Sequence, residues 1–290
     1  MKVLIVGGSG MLGHKLFQAW RDKFDLRVTV RTEFADYERY KIFNRANTIG
    51  GVDVENIASV EKAVYTLKPD VIVNAVGIIK QLSSAKSVIK TLTVNSIFPH
   101  QLSEISARIG SRLITISTDC VFSGSKGNYN ESDISDALDL YGKSKFLGEI
   151  TDGDCLTIRT SIVGRELNSS HGLIEWFLSE KGKSVKGFTK AFFSGFPTVV
   201  LADILADLIE NHSELNGLFH VSSEPINKYD LLRLVNDEYR AGVEIEPFDD
   251  FEIDRTLDST KFKEATGFTT AGWREMVERM AEDDTLYQNR

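Results

Sequence analysis

A glycine-rich turn lies between a short apolar strand and the start of an amphipathic helix, within the first thirteen residues. Gly7, Gly10 and Gly13 form a GxxGxxG pattern, and a second alignment, GxGxxG, begins one residue later at Gly8. Glycines in such a turn let backbone N–H groups approach a pyrophosphate, and the helix N-terminus adds free donors and a favourable dipole. A tight turn without a ligand is the alternative. The place of this turn after the first strand of a βαβ unit favours dinucleotide binding.

The first half of the chain alternates short apolar strands with amphipathic helices, which is typical of a parallel sheet covered on both faces. The predicted strands cover residues 3–6, 26–30, 48–52, 71–75, 112–117 and 155–159. The predicted helices cover residues 11–22, 57–67, 85–108 with an interruption at Pro99, and 139–150. We expect an α/β fold built on a Rossmann-type, doubly wound parallel sheet.

The second half of the chain has a different character. Residues 180–190 are rich in glycine and lysine and are interpreted as a loop. Residues 228–239 are predicted to form a helix with Asn227 as its N-cap. We expect a dinucleotide-binding domain over residues 1–160 and a smaller mixed C-terminal substrate lobe over 161–290, interleaved with the first near the boundary.

Composition limits the class of protein further. The 290 residues are 42% hydrophobic and 26% charged, which is typical of a folded globular protein. Apolar runs are shorter than the roughly 18 residues of a membrane span and there is no signal-peptide pattern, so we expect a cytoplasmic protein. Cys120 and Cys155 lie outside any CxxC pair, so we expect no disulfide framework and no metal. The net charge of −8 argues against nucleic-acid binding.

The tip of the second predicted strand indicates which dinucleotide is bound. Sites for NAD place an acidic residue there to bond the ribose 2′-hydroxyl, whereas an arginine accommodates the 2′-phosphate of NADP. This chain has Arg31 and no carboxylate at that tip, so we expect NADPH as the cofactor, with NADH as the alternative. A solvated surface arginine is the other interpretation of Arg31. Asp53, at the end of the third strand, is expected on the adenine side.

Tyr141 and Lys145 form a YxxxK motif on a predicted helix, where the i, i+4 spacing puts both side chains on one face. A phenol with an ordinary pKa of about 10 needs a nearby positive charge to exchange protons near neutral pH. Thr118 ends the fifth strand, where open α/β sheets bind ligands, and its hydroxyl is suited to polarising a carbonyl. A surface pair and a capping turn are the alternatives. The order of these motifs along the chain favours a shared catalytic role.

These motifs resemble those of the extended short-chain dehydrogenase/reductases and, among them, the dTDP-4-dehydrorhamnose reductase family. The matching stretches are residues 7–13, 69–75, 94–95, 117–122, 141–149, 159–161, 196–198 and 257–261. The resemblance implies reduction of the C4 ketone of a nucleotide-linked 4-keto-6-deoxy sugar by a nicotinamide cofactor, for polysaccharide precursors; Arg31 makes NADPH the expected cofactor. It also implies a catalytic triad of Thr118, Tyr141 and Lys145. In that family Lys145 would also grip the nicotinamide ribose, and Asn95 would lie on the helix behind the site.

The expected ligand contacts cover both halves of the chain. We expect the cofactor-binding residues to be Gly7, Gly10, Met11, Leu12, Gly13, Arg31, Asp53, Val54, Asn74, Ala75, Val76, Asn95 and Lys145. We expect the substrate-binding residues to be Lys80, Gln81, Asp119, Cys120, Ile162 and Arg255. Lys80 and Gln81 follow the fourth strand, with a solvated loop as the alternative. Arg255 is the candidate cation for an anionic substrate, whereas the lysines within 180–190 are typical of a solvated face.

The chain departs from the family at two positions that are expected to face the substrate. Cys120 stands where rhamnose reductases usually have tyrosine, and Ile162 stands where they have tryptophan. The sugar therefore need not be the rhamnose precursor, and a UDP-linked N-acetylamino sugar is one candidate. Related dehydratases use a glutamate at the position of Cys120, so dehydration is disfavoured.

Two other functions stay open at this stage. One is a sugar-nucleotide epimerase with a tightly bound cofactor. The other is a non-catalytic subunit that resembles the regulatory subunit of methionine adenosyltransferase. A homodimer is expected because dimers are common in the family.

Overall fold

The computed structural model describes residues 1–79, 87–167, 170–283 and 287. The strands are β1 (Lys2–Val6), β2 (Asp25–Thr29), β3 (Thr48–Ile49), β4 (Val71–Asn74), β5 (Arg112–Thr118), β6 (Cys155–Thr160), β7 (Ile162–Val163), β8 (Ser184–Phe193), β9 (Phe196–Pro197), β10 (Gly217–His220), β11 (Ile226–Asn227) and β12 (Glu244–Asp254). The α-helices are α1 (Met11–Trp20), α2 (Ile57–Leu67), α3 (Val88–Leu92), α4 (Phe98–Ile109), α5 (Leu140–Leu147), α6 (Leu173–Ser179), α7 (Thr198–Asn211), α8 (Lys228–Tyr239), α9 (Thr260–Thr266) and α10 (Trp273–Glu282). In this part of the chain, no helix is both long enough and apolar enough to cross a membrane.

The largest sheet has seven strands in the order β10-β6-β5-β4-β1-β2-β3. The pairs β1–β2, β1–β4, β2–β3 and β4–β5 are parallel. The order β3-β2-β1-β4-β5-β6 is that of the Rossmann fold, which binds ligands where the direction of winding reverses, between β1 and β4. The predicted Rossmann-type α/β fold is confirmed.

The inner strands are buried on both faces, as their continuous apolar sequences indicate. One core cluster joins Leu4 of β1 and Ile72 of β4 to Val64 of α2 and Leu102 of α4. None of these four side chains has exposed surface. Full burial of one such side chain stabilises the fold by roughly 1.5–3 kcal/mol, so the strand ends that carry the site are firmly held.

A π-helical segment, Thr93–Ile97, separates α3 from α4. Pro99 lies in the first turn of α4, where the N–H that proline lacks would have no helical acceptor. The interruption that the sequence predicts therefore occurs, but as a change of helical pitch just before the proline. Such π turns are rare and are frequently found at functional sites, and this one contains Asn95.

A second, three-stranded sheet has the order β11-β8-β12, with β8 antiparallel to β11 and parallel to β12. The expectation of a loop over residues 180–190 is wrong, because most of this stretch belongs to β8. Tyr229 packs on Gly187, where an added Cβ would lie 2.6 Å from Tyr229 Cδ2. Lys186 Nζ lies 4.0 Å from the centre of the Phe248 ring. Gly187 thus leaves room for Tyr229 of α8, and Lys186 packs on a ring of the neighbouring strand β12.

The chain forms two compact units. The first unit consists of Met1–Ser117, Leu138–Ile158 and Ala202–Leu218. The second unit consists of Thr118–Ala137, Arg159–Leu201 and Phe219–Arg290. The chain passes from one unit to the other several times, and the division into domains at residue 160 stays a prediction.

Candidate active site

In the turn between β1 and α1, packing within the protein requires glycine at Gly13 but not at Gly10. An added Cβ at Gly13 would lie 2.1 Å from the carbonyl oxygen of Gly7, so the helix packs directly on the turn. An added Cβ at Gly10 would meet only Gly7 O at 3.5 Å and Ala75 O at 3.9 Å, which are ordinary contact distances. The protein itself therefore does not require glycine at Gly10, whereas a phosphate at the N-terminus of α1 does. The turn fits a dinucleotide.

The residues that follow β4 lie beside this turn. Asn74 Oδ1 accepts a hydrogen bond from Val76 N at 3.1 Å, and Asn74 Nδ2 donates to Thr115 Oγ1 at 3.2 Å. The Val76 side chain lies so close to Gly7 that an added Cβ there would be 2.6 Å from Val76 Cγ2. Met11 and Leu12 open α1, the first half-buried and the second buried. These predicted cofactor contacts lie together at the reversal between β1 and β4.

Arg31 follows β2 and is held by two carboxylates. Arg31 Nε and Nη2 donate to Asp53 Oδ2 at 3.2 and 3.1 Å. Arg31 Nη2 also donates to Glu55 Oε1 at 3.0 Å, and Lys90 Nζ lies 2.7 Å from the same oxygen. The sequence assigns Arg31 to a 2′-phosphate and Asp53 to the adenine, and the structure pairs these two residues with each other. Val54, between the carboxylates, is half-buried and packs on the core.

Helix α5 carries the YxxxK motif and begins at a well-formed cap. Asp139 Oδ1 accepts a hydrogen bond from Gly142 N at 2.8 Å, which satisfies one of the free donors of the first turn. Tyr141 is half-buried, and Lys145, one turn further on, is 8% exposed. The helix thus presents the phenol nearer to solvent and the ammonium in the interior.

Lys145 is a buried cation beside the central sheet. Its Nζ donates to the carbonyl oxygen of Ile116 in β5 at 2.6 Å. Burial lowers the pKa of Lys145 to about 8, and the negative charge of Glu149 opposes part of this shift. Glu149 Oε1 in turn accepts a hydrogen bond from Ser117 Oγ at 2.5 Å. A strongly shifted pKa at a strand end is typical of a functional group.

Asn95 connects Ile78, which follows β4, to helix α5. Its Oδ1 accepts from Ile78 N at 2.8 Å, and its Nδ2 donates to Ile78 O at 3.0 Å and to Ser144 Oγ at 3.1 Å. Ser144 Oγ donates to Tyr141 O at 2.8 Å. The amide of Asn95 is engaged within the protein, so this side chain positions α5, and its predicted contact with the cofactor stays a prediction.

Three residues of this site were missed by reasoning from the sequence. Ser144 Oγ donates to Tyr141 O, and Ser117 Oγ donates to Glu149 Oε1, whose charge acts on Lys145. The sequence places them in the matching stretches 117–122 and 141–149, beside Thr118 and Lys145, but assigns them no role of their own.

Thr118 is the last residue of β5 and the first residue of the second unit, and it caps a short 3₁₀ turn, Asp119–Val121. Its Oγ1 accepts from Cys120 N at 3.1 Å and donates to Asp119 Oδ1 at 3.0 Å. Thr118 and Asp119 are 7% and 5% exposed. The capping role that the sequence left as an alternative is present. To bond a substrate carbonyl, the hydroxyl has to rotate away from Asp119.

Arg255 braces the segment that follows this turn. Its Nε donates to Phe122 O at 2.9 Å and its Nη2 to Ser123 O at 3.4 Å, while its Nη1 lies 3.7 Å from Cys120 Sγ. The guanidinium predicted to bind the substrate therefore has structural partners in the second unit. Its contact with a substrate stays a prediction.

The remaining predicted substrate residues are less informative. Ile162 is half-buried in β7, which pairs with β9. Lys80 and Gln81 lie outside the described residues. Within the described residues, no group of three or more histidine, cysteine, aspartate or glutamate side chains is arranged to hold a metal ion.

A Rossmann-type sheet with a glycine turn after β1, together with a YxxxK lysine buried against β5, places the chain among the extended short-chain dehydrogenase/reductases. Within that class, the chain belongs to the RmlD substrate binding domain family, whose model matches residues 1–286.

Similar proteins agree with this assignment. A dTDP-4-dehydrorhamnose reductase of Aggregatibacter actinomycetemcomitans is 26% identical, with 96% of this chain and 98% of the relative covered. Methionine adenosyltransferase 2 subunit beta of Mus musculus is 26% identical, with 82% of this chain and 72% of the relative covered. The solved structure of dTDP-4-dehydrorhamnose reductase from Bacillus anthracis in complex with NADP is 21% identical, with a TM-score of 0.77 and coverage of 96% and 98%. This last likeness shows the fold.

Proposed function

We propose that this chain reduces the C4 ketone of a nucleotide-linked 4-keto-6-deoxy sugar with NADPH, in the synthesis of polysaccharide precursors. Family membership supports the proposal, as do the relatives named dTDP-4-dehydrorhamnose reductase and the fold neighbour in complex with NADP. The observation that carries it is the environment of Lys145, a buried ammonium one helical turn from Tyr141 and bonded to the carbonyl of Ile116.

The Tyr141 and Lys145 side chains divide the work of proton transfer. The nicotinamide cofactor, when bound, supplies a hydride to the carbonyl carbon. Tyr141 gives its phenolic proton to the ketone oxygen, which becomes the hydroxyl of the product. The positive charge of Lys145 stabilises the phenolate that remains. With a pKa of about 8, Lys145 keeps that charge at neutral pH. The family resemblance assigns the hydroxyl of Thr118, once rotated from Asp119, to polarising the ketone as negative charge develops on its oxygen.

The glycine turn provides the binding side of the reaction. Backbone N–H groups at the start of α1 would hold the pyrophosphate, and the missing side chain of Gly10 would allow its close approach. The hydrogen bonds of Asn95 connect Ile78, after β4, to Ser144 of α5, so that Tyr141 and Lys145 do not have to be ordered when the ligands bind.

The identity of the sugar rests on Cys120 and Ile162. Both replace larger aromatic residues that the family usually has there, so we propose a substrate other than the rhamnose precursor. Substrates with a bulkier substituent, such as UDP-linked N-acetylamino sugars, belong in the test set for this reason.

A regulatory subunit is the second candidate, because a methionine adenosyltransferase subunit is as similar in identity as the reductase. Reduction is favoured because a buried ammonium destabilises the fold, and a chain without turnover gains nothing from keeping it. The regulatory function predicts co-purification with a larger enzyme and no turnover.

The test is the loss of reduced-nicotinamide absorbance when the protein and NADPH are mixed with a panel of dTDP- and UDP-linked 4-keto-6-deoxy sugars. Oxidation with one sugar, abolished by Tyr141→Phe, is the expected result. Binding of NADPH without oxidation for any sugar contradicts the reductase. Purified protein that carries a nicotinamide nucleotide through dialysis would favour an epimerase.

We propose a homodimer in the cytoplasm as the working form. Sedimentation of the purified protein at the mass of one 32.4 kDa chain would contradict the dimer. Fractionation of the source cells tests the location.

A further inference from the structure

The side chains around Arg31 form an ion-pair group at the place where the ribose of the cofactor is expected. We infer that Glu55 limits the preference for a coenzyme with a 2′-phosphate, because it competes with that phosphate for the guanidinium of Arg31. The inference rests on the proposed function, since it concerns the cofactor of the same site. It adds a specificity-determining residue that takes no part in the reaction itself.

The geometry of the guanidinium supports this competition. Arg31 Nη2 is shared between Glu55 Oε1 at 3.0 Å and Asp53 Oδ2 at 3.1 Å, and Arg31 Nε donates to Asp53 Oδ2 at 3.2 Å. A phosphate prefers the same forked donors, which bind two oxygens in parallel. A 2′-phosphate therefore has to displace a carboxylate from Arg31 or accept fewer bonds.

The charge of the group points in the same direction. Arg31 and Lys90 are balanced by Asp53 and Glu55, and Glu55 Oε1 contacts both cations. A 2′-phosphate brings up to two negative charges to a group that is already neutral, and two carboxylates would face it. Like charges at this range oppose binding, whereas the ribose hydroxyl of NADH meets no such opposition.

A 2′-phosphate can displace Glu55 from Arg31 because these side chains are accessible to water. The Arg31 side chain is 56% exposed and that of Glu55 is 32% exposed. Ion pairs of this kind alter an equilibrium constant by only a few-fold. Glu55 thus reduces the preference for the 2′-phosphate without preventing its binding. We expect a wild-type preference below about tenfold.

Glu55 is a cleaner test than Asp53. Asp53 Oδ1 accepts a hydrogen bond from Glu55 N at 3.0 Å and shapes the turn after β3, and Asp53 is also predicted to lie on the adenine side. Its replacement would change the binding of every adenine nucleotide. The Glu55 side chain contacts the two cations, so Glu55→Gln removes one charge and keeps the size of the side chain.

The experiment measures dissociation constants by calorimetry for adenosine 2′,5′-bisphosphate and for AMP, which differ by the phosphate in question. Glu55→Gln is expected to tighten the bisphosphate about three- to tenfold and to leave AMP within about twofold. Glu61→Gln is the matched control, because Glu61 lies on α2, pairs with Arg108 and carries the same charge. It is expected to change neither constant.

A double variant identifies the cation. If Arg31 receives the phosphate, the gain from Glu55→Gln disappears when Arg31→Ala is added. A gain that persists in the double variant overturns the inference, since Lys90 would then be the receiving cation. Equal tightening of both nucleotides, or no tightening, also overturns it.

The result does not depend on sugar turnover. A selective response of the bisphosphate in protein that reduces no sugar supports the inference while the proposed function fails. If neither nucleotide binds any variant, the inference and the proposed function fail together.

Discussion

Arg31 and Lys145 are both cations predicted to contact the cofactor, yet they lie in opposite environments. Arg31 is largely exposed and shares its guanidinium between two carboxylates. Lys145 is 8% exposed and donates to a carbonyl oxygen of the sheet. The charge of Arg31 is already balanced by neighbouring carboxylates. The charge of Lys145 is disfavoured by desolvation in the interior.

We expect this difference in burial to distinguish a residue that sets cofactor preference, Arg31, from one that takes part in proton transfer, Lys145. Water screens the pairs around Arg31, so a neighbouring carboxylate can alter its affinity for phosphate at little cost to stability. At Lys145, desolvation acts on the ammonium, so its charge costs stability and its pKa approaches the working pH. Substitutions in the two regions should therefore have different effects on activity and on unfolding.

The largest expected effect comes from Lys145→Met. Turnover falls at least about a hundredfold, because Tyr141 loses the charge that stabilises its phenolate. At neutral pH the free energy of unfolding rises by about 2 kcal/mol, since a penalty of roughly 3 kcal/mol is removed while the Ile116 carbonyl loses a donor worth about 1 kcal/mol. Urea unfolding and initial rates measure both. Lys143→Met, an exposed change on the same helix, is the control. If Lys145→Met were less stable than the wild type, burial of the ammonium would not destabilise the fold.

The pH dependence of stability tests the same penalty. The pKa of Lys145 is lowered from 10.5 to about 8 in the folded protein. Between these values the unfolded chain holds a proton that the folded chain has released, so stability rises with pH. Relative to Lys145→Met, the wild type is expected to gain up to about 3 kcal/mol between pH 8 and 10.5, and nothing below pH 8. A difference that is constant over this range would exclude the burial of the charge.

Glu149→Gln is expected to have an intermediate effect. Removing this negative charge lowers the pKa of Lys145 further, because Glu149 opposes the effect of burial. The alkaline limb of the kcat/KM profile should move toward neutral pH, with a several-fold loss near about pH 8 and little loss near about pH 6.5. Gln keeps an oxygen for Ser117 Oγ, so the local structure is retained. Glu104→Gln, an exposed change on α4, should leave the profile in place; an unshifted profile for Glu149→Gln would mean that Glu149 does not act on Lys145.

The smallest effect on stability is expected from Arg31→Ala. Because its ion pairs are exposed, the free energy of unfolding should change by less than about 0.5 kcal/mol. Affinity for NADPH should fall several-fold and affinity for NADH should not, as measured by fluorescence titration. Added salt should weaken NADPH binding in the wild type and have less effect in this variant. A large loss of stability would mean that the charge of Arg31, like that of Lys145, is coupled to the interior and is not screened by water.

The sequence predicted those parts of the fold that depend on local pattern. The limits of α2 and α8 and the cap of α8 at Asn227 follow the expectation, because periodicity and capping act over a few residues. Residues 180–190 were mistaken for a loop because their strand is defined by partners in β12, some 60 residues further along the chain. In the sequence Gly187 indicates a turn. In the structure it makes room for Tyr229, which packs on it.

The candidate site shows the same division. The YxxxK spacing predicted that Tyr141 and Lys145 share a helix face, and the glycine pattern predicted the turn that fits a phosphate. The partners of Arg31 were not predictable, since Asp53 and Glu55 are 22 and 24 residues away and reach it through another strand end. Asn95 bonds Ser144 from a π-helical turn, and no sequence pattern predicts that type of turn.

The sequence alone determined the order of the elements, the glycine turn and the one-turn spacing of Tyr141 and Lys145, because these depend on residues close together in the chain. The tertiary structure decided which charges are neutralised and which are buried. Lys145 is buried because it is packed against β5, and Arg31 is neutralised because the segment after β3 brings two carboxylates to it. Electrostatic energies depend on distance in space and on access to water, and only the folded chain defines both.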